Sequence, residues 1–385
     1  MGLTSTTLLL LTVLVAIALF ALTMWLWPRL ARTSVRALAG RFLLLVCTQL
    51  AVLSVVLLYV NDKFEFYASW DDLFGTEQGE GVVQEVGPGG KLVSLQSEQA
   101  VHGGGRLETV KITGASTRIA ADAKVYLPPQ YFQKANRDKE FPAILAITGY
   151  PGTVDGMIDE LGFVDTARDQ ARRGKMPPTV MIFIRSAVTP PRDTECVDVP
   201  GGPKVLTYFA KDLPKAVSGH YRVGTATRQW GVTGYSTGGY CALKLPMTYP
   251  QSFTAGAALS PYFAAKTDDT TGDLFHGDKK LEQQNDLMWR MEKLPQPPVS
   301  LLVTSSAEGE YDYHNTLDFL AKLKEGPMRM ARIILDEGGH NFSTWKREVP
   351  AALTWLGTHL DKPVHRDEPA HSDVRSAEHP LRNDR

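Results

Sequence analysis

The residues best placed to do chemistry are Gly234-Tyr235-Ser236-Thr237-Gly238-Gly239. A serine in a G-x-S-x-G spacing can act as a nucleophile when a strand runs into it and a helix runs out of it, because the tight turn lifts its hydroxyl clear of the backbone. Residues 229–233 (QWGVT) read as a strand and residues 237–249 as a helix, so both halves of that context are present. The helix N-terminus and the Thr237 N–H then face the place where an oxyanion would develop. A turn without chemistry is the competing reading of the five residues alone, and the flanking elements weigh against it.

A serine at its ordinary pKa needs a base. Among nine histidines, His340 fits, in Asp336-Glu337-Gly338-Gly339-His340-Asn341-Phe342, a loop between a late strand and the closing helix. His314 and His359 read as solvated or packed helix residues, and His365, His371 and His379 fall in the C-terminal stretch. An acid should lie between Ser236 and His340, after a strand. Residues 299–305 supply that strand, and Ser306-Ala307-Glu308-Gly309-Glu310-Tyr311-Asp312 follows it. Glu310 is the preferred acid, then Glu308, then Asp312. The second oxyanion donor should come from Gly149-Tyr150-Pro151-Gly152, after the strand ending at Ile147-Thr148. Pro151 has no N–H, so the Tyr150 amide is the better choice. No metal-ligand spacing such as CxxC occurs and no cofactor is expected.

These side chains must be positioned by the elements around them. Apolar runs at 141–148, 179–185, 229–233, 255–260, 299–305 and 331–336 alternate with helical spacing at 163–173, 208–217, 237–249, 313–324 and 347–360. Pro214 should interrupt the second of these helices, and Pro246 should kink or end the third. The alternation predicts an α/β fold, a mostly parallel sheet covered by helices on both faces, with its site at the C-terminal ends of the strands. The order Ser…acid…His is that of the α/β-hydrolase fold. This domain is expected over 106–360. Residues 361–385, charged and without periodicity, read as a disordered tail.

The first sixty residues are different. Residues 8–27 carry no charge and can span about 30 Å of hydrocarbon. Trp25 and Trp27 close the run, where indole rings favour the interface. A second uncharged run covers 42–60. Residues 1–61 therefore read as a membrane hairpin with a linker at 28–41. A cleaved signal peptide fits less well: no basic region precedes the first run, that run is long, and a second span follows. The linker holds Arg29, Arg32, Arg36 and Arg41 and no acid, whereas Asp62, Glu65, Asp71 and Asp72 follow the second span. The positive-inside rule puts the linker in the cytoplasm and everything from Asn61 onward outside it. Residues 62–105 read as a juxtamembrane linker, aromatic and acidic at 64–75, glycine-rich with one short strand at 79–105.

Composition excludes little else. A formal net charge of −1 implies no nucleic-acid partner. Three cysteines exclude a disulfide-stapled miniprotein. Cys47 lies in an apolar run, and Cys196 and Cys241 form an even pair that is either a disulfide or two separate thiols. Tyr150, Tyr235, Tyr240, Tyr262 and Phe263 read equally as an acyl pocket or as core. The run from Glu195 to Gly202 reads as an ordered loop bordering the site.

Tyr208, Asp212-Leu213, Arg228, the GYSTGGYCAL elbow, Pro250-x-x-Phe253, Ser260 and GGHNFSTW together resemble the putative-esterase family, which includes S-formylglutathione hydrolase, feruloyl esterases and the antigen 85 mycolyltransferases. The resemblance runs from about Lys124 to Leu360. It implies a Ser–acid–His triad, with Ser236 and His340 in register, acting on carboxylic esters by hydrolysis or by acyl transfer. SSAEGEYD departs from the family's more usual G-x-x-D at the acid, and Pro246 departs within the elbow helix. The expected protein is a membrane-anchored esterase taking an ester or acyl-donor substrate. An acyltransferase acting on envelope lipid or glycan, and a catalytically silent envelope binding module, are the alternatives.

Overall fold

A computed structural model describes residues 6–31, 34–64, 91–101 and 103–366. Most of the aromatic–acidic stretch at 64–75, and the tail beyond Arg366, lie outside the described residues.

Helix α1 (Thr6–Leu26) and helix α2 (Val35–Phe64) hold the two apolar runs, whose most apolar 18-residue stretches have mean hydropathies of 2.6 and 2.5. With 21 residues, α1 is about 31 Å long. Both are long and apolar enough to cross a membrane. Leu10, Leu14, Ile17 and Phe20 of α1 and Leu50, Leu53 and Leu57 of α2 are exposed, so the pair leaves apolar surface uncovered. Between the helices, Thr23 Oγ1 and Thr48 Oγ1 meet at 3.0 Å. At their linker end the Arg29 guanidinium lies 3.9 Å from the Trp25 ring centre.

The remaining described chain builds one large sheet. Its strands are β1 (Lys91–Ala100), β2 (Arg106–Thr113), β3 (Ala120–Leu127), β5 (Ala143–Ile147), β6 (Val180–Ile184), β7 (Trp230–Tyr235), β8 (Ala255–Leu259), β9 (Ser300–Glu308) and β10 (Arg329–Glu337). Their order is β1-β2-β3-β6-β5-β7-β8-β9-β10. The first three are antiparallel to their neighbours and the rest are parallel. Strands β5 to β8 are buried at every position, which is why they read as continuous apolar runs. Alternate residues feed opposite layers. Leu145 and Ile147 pack beneath the helix Thr237–Thr248, while Ile144 and Ala146 pack toward the helices Phe163–Arg172 and Phe342–Thr358.

Several expectations shift. The sheet begins at Lys91, inside the stretch read as linker, because β1 pairs with β2 from Lys91↔Thr113 to Ala100↔Arg106. Regular structure also continues past Asp361: β4 (Lys139–Glu140) pairs antiparallel with β11 (Val364–His365), and Asp361 meets Arg228 at 3.0 Å. Pro214 sits in the first turn of Leu213–His220, where no N–H is required, after a wide turn at Tyr208–Asp212. Pro246 lies within the last turn of its helix, which ends at Thr248.

The topology fixes where a site can form. The chain passes from β5 to β6 on one side and then returns to β7 on the other. The loops leaving β5 and β7 therefore diverge and leave a crevice at their C-terminal ends, the switch point at which open α/β sheets hold their ligands.

Candidate active site

Ser236 stands at that switch point, at the end of β7. Its backbone is strained, with φ 53° and ψ −118°, and it caps the helix Thr237–Thr248. The strand-to-helix turn is closed too tightly for side chains. A Cβ on Gly238 would lie 2.0 Å from the Ile147 carbonyl oxygen, so only glycine lets the helix start against the end of β5. Thr237 is the first helical residue, and its N–H has no acceptor within the helix. The loop after β5 runs alongside: a Cβ built on Gly149 would lie 3.2 Å from the Ser236 Cβ. Tyr150 follows, half-buried, its hydroxyl donating to the Pro191 carbonyl at 3.1 Å.

His340 comes from the loop between β10 and the helix Phe342–Thr358. Its Nε2 is 2.9 Å from Ser236 Oγ. Its Nδ1 is 3.1 and 3.2 Å from the two carboxylate oxygens of Glu310. Trp345 meets the imidazole edge-on at 5.0 Å and Tyr311 tilts against it at 5.1 Å, so the ring is held from two sides. The Glu310 side chain is 1% exposed and the His340 side chain 24%, which leaves the imidazole reachable and its acid enclosed.

Of the three carboxylates at and after the end of β9, the structure brings Glu310 to the imidazole and not Glu308 or Asp312. Glu308 is exposed at the strand end, and Asp312 accepts from Asn315 Nδ2 at 2.6 Å beside the helix Tyr313–Ala321. The turn depends on Gly309, whose φ of 93° is left-handed and whose missing Cβ would press on the Gly338 carbonyl at 2.8 Å.

Behind Glu310 lies a second carboxyl, Glu348, fully buried on the closing helix. Thr304 Oγ1 donates to it at 2.6 Å. Burial pushes the Glu348 carboxyl up to about 8, and the nearby Glu310 charge adds to this. Burial thus biases Glu348 toward its protonated form, and it is Glu310 that meets the imidazole.

The aromatic residues divide. Tyr235, Tyr240, Tyr262 and Phe263 are buried, and Phe263 stacks on Phe319 at 4.6 Å as core. Tyr150 alone of the five is half-buried at the crevice. Cys196 and Cys241 are disulfide-bonded, which fastens the Glu195 loop to the elbow helix. Among the described residues no cluster of His, Cys, Asp or Glu could hold a metal ion.

Sequence reasoning missed the flanking Tyr311 and Trp345, the buried Glu348, and a chain from Glu195 through Tyr262 to Thr237. A signal for the last was present. Thr237, Tyr240, Cys241 and Lys244 recur at helical spacing and all face the Glu195 loop and its partners.

An arrangement in which a hydroxyl, an imidazole and a carboxylate touch in series can make the serine oxygen nucleophilic toward a carbonyl carbon. The family model described as "putative esterase" matches residues 115–356. An uncharacterized protein of Corynebacterium glutamicum is 26% identical over 251 residues, covering 62% of this chain; the match spans 57% of that relative's length. An S-formylglutathione hydrolase from Agrobacterium tumefaciens superposes with TM-score 0.57 at 15% identity, covering 69% of this chain and 99% of that one. A ferulic acid esterase gives 0.56 at 16%, covering 66% and 98%. The fluorophosphonate-binding serine hydrolase F of Staphylococcus aureus gives 0.53 at 16%, also covering 66% and 98%. At such identities the structural likeness is one of fold.

Proposed function

This chain belongs to the putative-esterase family, and on that premise we propose that it is a membrane-anchored, extracytoplasmic serine esterase that splits carboxylic esters through an acyl-enzyme on Ser236. The observation that carries this reading is the contact series Ser236 Oγ–His340 Nε2 at 2.9 Å and His340 Nδ1–Glu310 at 3.1 Å.

Ser236 Oγ attacks the ester carbonyl carbon while His340 Nε2 takes the hydroxyl proton. The Nδ1–H donates to Glu310, whose charge stabilises the imidazolium. The carbonyl oxygen becomes an oxyanion and accepts from the Thr237 and Tyr150 N–H groups. As the intermediate collapses, the carbon–oxygen bond to the leaving group breaks and His340 protonates the departing alkoxide. Water then adds to the acyl-enzyme, giving its proton to His340. The carboxylic acid leaves and the proton returns to Ser236.

Two observations support an outward-facing domain. The segment between the two apolar runs, residues 28–41, holds Arg29, Arg32, Arg36 and Arg41 and no acid. The Cys196–Cys241 disulfide fits an oxidising compartment. Exposed apolar side chains on α1 and α2 support a lipid bilayer as their partner. That anchor also favours a second reading, in which an alcohol of an envelope lipid or glycan replaces water as acyl acceptor. Chromogenic ester turnover in detergent, with and without a glycan acceptor, separates the two. Free acid as the sole product supports the esterase, and acceptor-linked acyl product supports the transferase. Access of a membrane-impermeant protease to the domain in intact cells tests the orientation, and full protection would contradict it.

A further inference from the structure

The loop after β6 packs against the elbow helix. Glu195 and Cys196 both have left-handed backbones, with φ of 50° and 49°. Two bonds hold the loop to the elbow helix, and a third closes the loop on itself. Cys196 is bonded to Cys241, Lys244 Nζ donates to the Cys196 carbonyl at 2.7 Å, and Asp193 Oδ1 accepts from the Glu195 N–H at 3.0 Å. The strained turn sends the Glu195 side chain inward, where Glu195 Oε2 meets Tyr262 OH at 2.5 Å. The same Tyr262 hydroxyl is 3.0 Å from Thr237 Oγ1. All three residues are buried.

We infer that Glu195 is a positioning residue for the elbow: through Tyr262 its carboxyl sets whether the hydroxyl of Thr237 is free to donate to the substrate oxygen that gains charge. This rests on the esterase reading of Ser236. The reasoning is a count of hydrogens. Tyr262 has one hydroxyl hydrogen and two oxygen neighbours. When Glu195 carries its proton on Oε2, the oxygen that faces Tyr262, it donates to Tyr262, Tyr262 donates to Thr237, and the Thr237 hydrogen is left for the substrate. When Glu195 is ionised it can only accept. Tyr262 then donates to Glu195, and Thr237 donates to Tyr262 and away from the substrate. One proton on a carboxyl thus reverses the chain.

The surroundings favour the protonated form at neutral pH. Burial pushes the Glu195 carboxyl up to about 8, and the charge of Asp193 adds to this. Tyr262, Lys244 and Lys266 pull the other way. The elbow helix presents Tyr240 and Lys244 to this region, the loop after β8 presents Tyr262 and Lys266, and the loop's own charges are Asp193 and Asp198. Arg290 acts on Lys244 and Tyr240 from the helix Leu287–Lys293, Asp286 at that helix's N-cap acts on Tyr240, and Asp268 acts on Asp193. Lys244 is itself pushed down to about 7 by burial, so its balancing charge weakens over the same range.

The test is the pH profile of kcat for a chromogenic ester, using the full chain in detergent micelles. Wild type should lose activity on the order of tenfold between pH 7 and pH 9.5, the worth of one hydrogen bond to a charged oxygen. Glu195→Gln donates permanently from its amide and should keep kcat level to within about twofold over that range. Tyr262→Phe cuts the chain and should also abolish the alkaline decline, so the outcome does not hang on one variant folding. A role confined to holding the loop would change stability or KM and leave the decline in place. A level wild-type profile, or variants that keep the wild-type decline, overturns the inference. Labelling of Ser236 by a fluorophosphonate at pH 7 is run alongside. If folded wild type is not labelled, the esterase reading fails and this inference falls with it. If it is labelled while the declines persist, only this inference fails.

Discussion

The carboxylate of Glu310 meets His340 Nδ1 at 3.1 Å from an enclosed position, while Glu308, two residues earlier, points into solvent. Glu310→Gln should therefore lower kcat by about 10⁴ with little change in KM, the scale on which a triad loses its correct tautomer. Glu308→Gln should stay within about twofold of wild type, as surface changes away from a site do. Steady-state kinetics on the two variants check this. A large loss in Glu308→Gln with an active Glu310→Gln would reverse the assignment.

The elbow depends on the absence of a side chain at Gly238. An added methyl there meets the Ile147 and Thr148 carbonyls at 2.0 and 2.6 Å, and backbone cannot move aside cheaply. Gly238→Ala should destabilise the domain by about 3 kcal/mol, the upper end of overpacking effects, and misplace Ser236. Thermal unfolding and ester turnover read both. An unchanged midpoint would mean that the helix does not start against β5.

The Glu348 carboxyl titrates near 8 in the folded protein and near its ordinary 4.5 when unfolded. Between those values the folded state holds one more proton, so stability falls as pH rises from about 4.5 to about 8. Glu348→Gln keeps an acceptor for Thr304 and removes this dependence. It should raise the melting temperature relative to wild type at pH 8 and match it near pH 4.5. Equal melting temperatures at both would show that Glu348 is charged in the fold.

The Cys196–Cys241 bond closes a 45-residue separation. Chain-entropy arguments put its removal at about 4 kcal/mol. Cys241→Ser should lower the denaturation midpoint accordingly, and reductant should reproduce the change in wild type but not in the variant. Insensitivity of the wild type to reductant would exclude the bond in solution.

The parts of this fold that are local in the chain are the parts that can be read from it. The elbow is contiguous: strand, glycine-flanked serine and helix follow one another, and each carries its own signal. The buried strands β5 to β8 announce themselves because both faces are covered. Choices set by a single backbone angle are not legible this way. Glu308 and Glu310 differ in role through the turn at Gly309, and nothing in SSAEGEYD states that angle. Long-range contacts are harder still. Glu195 and Tyr262 stand 67 residues apart, and only the helical spacing of Thr237, Tyr240, Cys241 and Lys244 hints that something polar packs there. The edge strand β1 is legible only as one short strand in a glycine-rich stretch; its ten-residue length and its place in the sheet are not, because it joins β2 across a glycine-rich turn whose composition reads as loop.

The central claim is that Ser236 is an activated nucleophile, and covalent labelling tests it most directly. A fluorophosphonate probe should form one adduct per folded chain, mapped to the peptide carrying Ser236 by mass spectrometry. The adduct should be absent in Ser236→Ala and slowed by orders of magnitude in His340→Ala. Wild-type protein that is folded, with the His340 loop intact, and yet takes up no label at Ser236 would contradict the account.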